Sequence, residues 1–239
     1  MQLRSELAKI LSPTPVQASL LEFQEPTIEQ GWKALAEHQL SHIHVAPLLL
    51  FAAGHAKQDI PEAIQNCQRS TPQISYDQCR PLSRHHQIVK LLIQRIEEAF
   101  GQLTIPRHRT AVLMVGRGSH DPCASTDMWI LSELVKRRTD FASVSTAFYA
   151  MAQPRLPDVL ERLASSEQFD AVIVQPHLLF EGRLYQAIGK TVKEIAERHS
   201  RQRWILSNYL GPDRLVARAL ATRIQQATVT PSEQDTSSL

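Results

Sequence analysis

Apolar positions along this chain fall into two kinds of run. Short ones, Val16–Leu21, Ile43–Phe51, Ile74–Tyr76, Ala111–Val115, Ser143–Tyr149, Ala171–Val174 and Trp204–Ser207, have the length and Pro or polar boundaries of strands. Longer ones repeat at helical spacing and predict helices over Ile88–Phe100, Met128–Arg138, Arg155–Ala164, Tyr185–Arg198 and Arg214–Gln226. Thr27 is a candidate N-cap for a further helix that sets Ile28, Gly31, Trp32 and Leu35 on one face. Strict alternation of strand and helix predicts α/β architecture, a parallel sheet with helices on both faces.

The pattern also repeats. Pro15–Leu21, Pro26–Ile28 and Ala34–Ala36 match Ser143–Tyr149, Pro154–Leu156 and Arg162–Ala164, Pro154 lying 128 positions after Pro26. Val45–Phe51 matches Val174–Phe180 at 129, and Leu82, Arg95 and Ile96 match Leu210, Arg223 and Ile224 at 128. A period this long indicates two tandem copies of one domain, each a small parallel sheet flanked by helices, since solenoid repeats are several-fold shorter. We place the copies at residues 1–105 and 108–226, with a linker over 101–109 and a disordered polar tail over 227–239. The second copy opens with a strand and the turn Val115–Pro122; the equivalent turn falls about ten residues before Met1, so the first copy is expected to lack its opening strand.

Composition narrows the class. A net charge of +2 gives no broad electrostatic case for nucleic acid. Cys67, Cys79 and Cys123 are widely spaced and odd in number, which suits a reducing compartment better than a disulfide framework. No apolar run approaches a membrane span and Met1–Leu11 lacks a signal-peptide core, so the expected setting is soluble and cytoplasmic.

The ten histidines invite a search for metal ligands. In Pro47–Pro61 (PLLLFAAGHAKQDIP) an apolar strand ends in small residues and Gly54, which lets the backbone turn and present His55 beyond the carboxyl end of the sheet, where α/β proteins bind ligands. A neutral imidazole there can ligate a transition metal or accept a proton, although alone a His after Gly in a loop is ordinary. Glu22 ends the other strand and is expected at the same edge; its plainer reading is a solvated carboxylate. His42 and His44 share one face of a strand at the spacing of paired ligands, while His85-His86 reads as a solvated cap region. His120 and His177 are expected at the mouth of the second copy, and Gly116–Ser119 could cradle an anion at a helix N-terminus.

Taken together, Pro47–Pro61, Leu20–Gly31 (LLEFQEPTIEQG), Val115–Pro122 (VGRGSHDP) and Gln175–Leu184 (QPHLLFEGRL) resemble the long, two-domain sirohydrochlorin cobalto- or ferrochelatases of the CbiX/SirB group, over about residues 3–226. The resemblance implies two tandem chelatase-like domains with an active site between them. It implies metal insertion into a tetrapyrrole, sirohydrochlorin, without ATP and with no cofactor beyond the substrate Fe²⁺ or Co²⁺. It assigns catalytic and metal-binding roles to His55 and Glu22, while the family's other catalytic His, in a Gly-His-Gly-Ser turn, has no counterpart here. The repeat sets Leu184, Ala150 and Arg117 opposite His55, Glu22 and that missing His, so the second copy has lost the whole constellation. Lys57, Arg84, Arg117 and Arg183 are candidate partners for the substrate carboxylates. The expected partners are sirohydrochlorin and a divalent metal, with no nucleic acid or membrane, and the chain is expected to be a monomer. Two other readings stay open: a non-catalytic tetrapyrrole- or metal-binding protein of this fold, and a flavodoxin-like nucleotide or flavin binder using the 116–119 turn.

Overall fold

The computed structural model describes residues 2–21, 24–52 and 54–229. In chain order the first elements are α1 (Gln2–Leu11), α2 (Ile28–Ala36), β1 (His42–Val45), a π-helical turn (His55–Asp59) running into α3 (Ile60–Ser70), and β2 (Ser75–Gln78). There follow α4 (His86–Phe100), β3 (Thr110–Gly116), α5 (Pro122–Arg138), β4 (Ser143–Phe148), α6 (Leu156–Ala164), β5 (Ala171–Pro176), α7 (Arg183–Arg198), β6 (Arg203–Leu206) and α8 (Arg214–Val229). Every ladder is parallel: β1 pairs with β2, and the second sheet runs β4-β3-β5-β6. The α/β architecture expected from the hydrophobic pattern is therefore present.

Duplication is visible in the hydrogen bonds themselves. Leu20 N–H donates to Pro26 C=O (2.8 Å) and Phe148 N–H to Pro154 C=O (2.9 Å). Cys79 donates to Val45 (2.8 Å) as Ser207 does to Val174 (2.9 Å), and Leu82 to Leu49 (2.9 Å) as Leu210 does to Leu178 (2.8 Å). Each pair is related by the 128- or 129-residue offset of the sequence repeat. The β1–β2 pair is thus the counterpart of β5–β6.

One predicted strand is missing for a physical reason. Residues 15–21, the counterpart of β4, form only the isolated bridge between Leu20 and Thr27. In the second sheet β4 pairs with β3 and with no other strand, and among the described residues the 15–21 segment has no such strand partner. A strand with no neighbour has nowhere to place its backbone donors and acceptors, so local β-propensity does not suffice. Conversely, α3 was not read from the sequence. Its apolar positions Ile60, Ile64 and Cys67 are spaced for a helix and buried, but they follow the segment taken as a strand and loop.

Contacts divide the chain into two compact units, Met1–Leu82 with Ala217–Leu239, and Ser83–Val216. These differ from the tandem segments 1–105 and 108–226 because the copies exchange their last helices. α4 buries Ile88, Leu91, Leu92 and Ile96 completely and packs on β5 and α5 of the second unit. There the Arg95 guanidinium donates to the carbonyls of Tyr209 (3.1 Å) and Leu210 (3.5 Å) and pairs with Asp213 (2.9 Å). In the first unit α8 returns the arrangement: Arg223, the counterpart of Arg95, donates to the Leu82 carbonyl (3.3 Å), the counterpart of Leu210.

The first unit's core gathers Trp32, Ile43, Ile60, Ile64, Cys67 and Ile74. Trp32 Nε1–H donates to Thr71 Oγ1 (2.9 Å) and its ring meets Tyr76 edge to face. α2 starts as expected at Thr27, whose hydroxyl accepts from Gln30 N–H while Gln30 reaches back to Thr27 N–H, a reciprocal capping box. In the second unit the alternate residues Ala111, Leu113, Val115, Val172 and Val174 meet α6 and α7 through Leu156, Leu160, Ile188 and Val192. No helix among the described residues is long and apolar enough to cross a membrane.

Candidate active site

The π-helical turn carries His55. Ala56 and Ile60 anchor it in the core, and the Gln78 side chain, closing β2, donates to the Ala56 carbonyl (2.7 Å). That bond holds the turn at the carboxyl end of the β1–β2 pair, the edge expected from the sequence. The wide turn is closed by Ile60 N–H donating to the His55 carbonyl, a local widening that proteins use often at functional sites. Its exposed face presents His55, Lys57 and Asp59. His55 Nδ1 lies 2.7 Å from Asp59 Oδ2. A carboxylate accepts, so Nδ1 donates, and in the neutral ring Nε2 carries the lone pair. Asp59 was not singled out from the sequence, though its i, i+4 spacing from His55 was readable once a helical turn was placed there.

Gly54 does not play the part expected of it. Its backbone is right-handed (φ −40°, ψ −54°) and a Cβ would meet nothing within 4 Å, so the turn itself does not require glycine. The turn that does is in the second unit, where Gly118 has φ +89° and a Cβ would stand 1.7 Å from the Ala150 carbonyl oxygen.

Glu22 lies outside the described residues. The remaining candidates divide between the units. Lys57 is exposed in the first, beside His55 in sequence. Arg84, Arg117 and Arg183 are exposed in the second, Arg84 pairing with Asp127 (3.0 Å) and Arg183 opening α7. The anion-cradle reading of residues 116–119 is not supported by the local bonding. Ser119 Oγ accepts from Asp121 N–H (3.0 Å), and the Asp121 carboxylate accepts from Cys123 N–H (2.9 Å) at the start of α5. The helix end already holds a negative charge from its own cap.

The other histidines sort by burial. His120 is exposed, but His177 is buried at the end of β5 rather than open at a mouth, and desolvation pushes its pKa down to about 3. His85 is the N-cap of α4, as expected, accepting from Gln87 N–H (3.2 Å), yet it is buried rather than solvated. His42 and His44 do share a face of β1, and they converge on Asp77 of β2.

The second copy sharpens the contrast. The counterparts of His55 and Asp59 are Leu184 and Ile188, both in the regular helix α7, with Ile188 fully buried in the core. Where one copy presents an oriented imidazole on a widened turn, the other presents apolar residues on an ordinary helix.

The chain is 38% identical over 199 residues to the sirohydrochlorin ferrochelatase of Priestia megaterium, covering 82% of this chain and 72% of the relative. It is 29% identical over 196 residues to the sirohydrochlorin cobaltochelatase of the same organism, covering 82% of this chain and 64% of that one. Among solved structures, SirB from Bacillus subtilis with Fe³⁺ superposes with a TM-score of 0.85 at 29% identity, covering 95% of this chain and 88% of that one. The CbiX family model matches residues 1–99 and 111–227, nearly both copies in full, and the chain is a member of the CbiX family.

Proposed function

We propose that this chain is a sirohydrochlorin chelatase, inserting Fe²⁺ or Co²⁺ into the macrocycle without nucleotide, as a cytosolic monomer. The observation that carries the reading is His55, exposed on a turn held at the carboxyl end of the β1–β2 pair, with its Nδ1 engaged by Asp59. Insertion requires that the metal shed water and that two pyrrole N–H protons leave, in keeping with the chemistry of the macrocycle. An imidazole nitrogen fixed as a lone pair does both tasks: it holds the ion loosely, and once the ion has passed to the ring it accepts a proton, with Asp59 stabilising the imidazolium. Glu22 is the second ligand and proton acceptor in this reading. A set of imidazole and carboxylate donors accommodates iron and cobalt alike.

Substrate recognition draws on two kinds of surface. Lys57 in the first unit and Arg84, Arg117 and Arg183 in the second are exposed cations, the kind of group that would pair with peripheral carboxylates. Tyr149 and Met151, after β4, and Phe180, after β5, are large apolar side chains left exposed beyond carboxyl ends of the second sheet, and they suit the face of a flat macrocycle.

The test is insertion followed by absorbance with sirohydrochlorin and either ion. His55→Ala is expected to reduce the enzymatic rate about 100-fold or more while melting normally. Near-normal insertion by that variant would overturn the assignment. Asp59→Asn, which keeps the shape but not the charge, is expected to lower kcat less than His55→Ala does, with KM unchanged; a raised KM with normal kcat would make Asp59 a substrate contact and not a positioning residue.

A further inference from the structure

On the β1–β2 pair three ligand atoms meet. His42 and His44 project from one face of β1, and Asp77 stands directly opposite His44 on β2. One ring nitrogen of each histidine and a carboxylate oxygen of Asp77 all lie within 4.8 Å of one another. His42 Nε2 is 2.8 Å from Asp77 Oδ1, and His44 Nδ1 bonds the same oxygen. Metal–ligand bonds of about 2.0–2.2 Å place neighbouring ligand atoms roughly 3–3.5 Å apart, a separation that three atoms within 4.8 Å of one another reach by small side-chain rotations.

The outer hydrogen bonds fix the tautomer. The Ser75 hydroxyl donates its one proton to the Ser41 carbonyl (3.0 Å), so it accepts from His42 Nδ1–H (2.7 Å). With Nδ1 donating, Nε2 of the neutral ring is a lone pair on the Asp77 side, available to a metal ion. A ring nitrogen donating to an oxygen while its partner ligates is the usual outer shell of a metal-binding histidine. The second copy shows what the face looks like without this need: the equivalent positions are Ala171, Ile173 and Ile205, the first two fully buried. Three polar, ligating side chains replace three apolar ones together, and they remain partly open to solvent.

We infer that His42, His44 and Asp77 form a second metal site, for a divalent transition ion such as Zn²⁺ or Co²⁺, held by two imidazoles and one carboxylate with a position left for water. It is separate from the site proposed for insertion. Because its ligands come from both strands, the ion cross-links a two-stranded ribbon, an element of low intrinsic stability, and its binding raises the melting temperature.

The test is a Co²⁺ titration in the His55→Ala background, which removes the proposed insertion ligand, following visible d–d absorption and melting temperature. One equivalent of Co²⁺ is expected to bind with an upward shift in melting. His44→Ala or Asp77→Asn added to that background is expected to abolish both, and Ser75→Ala to weaken binding about 10-fold while leaving all three ligands. Circular dichroism reports whether each variant is folded, and Ser75→Ala supplies the reading should a ligand variant unfold. Absence of binding in His55→Ala, or binding undiminished by all three further substitutions, would overturn the site.

Discussion

His177 and His55 show how differently one side chain is used within a single chain. His55 stands in solvent with one nitrogen engaged by a carboxylate, whereas His177 is buried and its pKa falls to about 3 through desolvation. The buried ring is neutral in the folded state and charged in the unfolded chain at mildly acidic pH. Its folded pKa is depressed, so the associated stability is fully present above about 6.5 and is lost as pH falls toward 3. Across that window the loss approaches about 1.4 kcal/mol per pH unit. Chemical denaturation of His177→Gln between pH 7 and pH 4 is expected to show a flatter decline than the parent. Gly118 makes a second prediction at this scale. Its positive φ and the adjacent Ala150 carbonyl leave no room for a Cβ, so Gly118→Ala should cost about 2–4 kcal/mol of unfolding free energy, whereas Gly54→Ala, with open space at its Cβ, should cost little. The sequence pointed to His55 through its motif and its place after an apolar run. It did not reveal Asp77, because a ligand on another strand is recruited by register, and register is not encoded by local spacing.

At the scale of elements, the hydrophobic pattern was informative wherever an element could satisfy itself. Helices α4 and α6 to α8 lie close to where periodicity put them, and β3, β4, β5 and β6 follow their apolar runs. Helix α5 begins at Pro122 and not at Met128, because its Asp121 cap and Pro122 open the helix more than a turn earlier. The pattern failed where pairing decided the outcome. Residues 15–21 have the alternation of a strand, but their counterpart β4 depends on β3 alone. Supplying a neighbour should therefore restore the strand. Fusing before residue 1 a segment patterned on Ala111–Gly116, with a following turn, is expected to increase amide protection over residues 15–21 in hydrogen exchange; unchanged protection would show that the segment is irregular for its own reasons.

For the whole molecule, the repeat was legible from sequence and the wiring was not. Matching residues 128 apart shows two copies, but nothing in a linear match says which sheet a terminal helix will cover. The apolar face of α4 fits against β5, and Arg95 settles on the carbonyls of Tyr209 and Leu210. A fragment spanning 83–216 is accordingly expected to fold with a cooperative melt. A fragment spanning 106–226 lacks Ile88, Leu91, Leu92 and Ile96 and should be poorly soluble, at a deficit of several kcal/mol from about 1.5–3 kcal/mol per uncovered large apolar contact.

That exchange of helices has a consequence for how such a protein could have arisen. A chain holding a single copy, wired so that its last helix completes another sheet, cannot finish its own fold. Two such chains must trade arms, and their survival then depends on how often they meet. Joining the copies end to end makes the trade internal, replacing a chance encounter by a tether. Freed from the obligation to be identical, one copy could surrender its imidazole for Leu184 and its carboxylate for Ile188, while still lending the other the arm it needs.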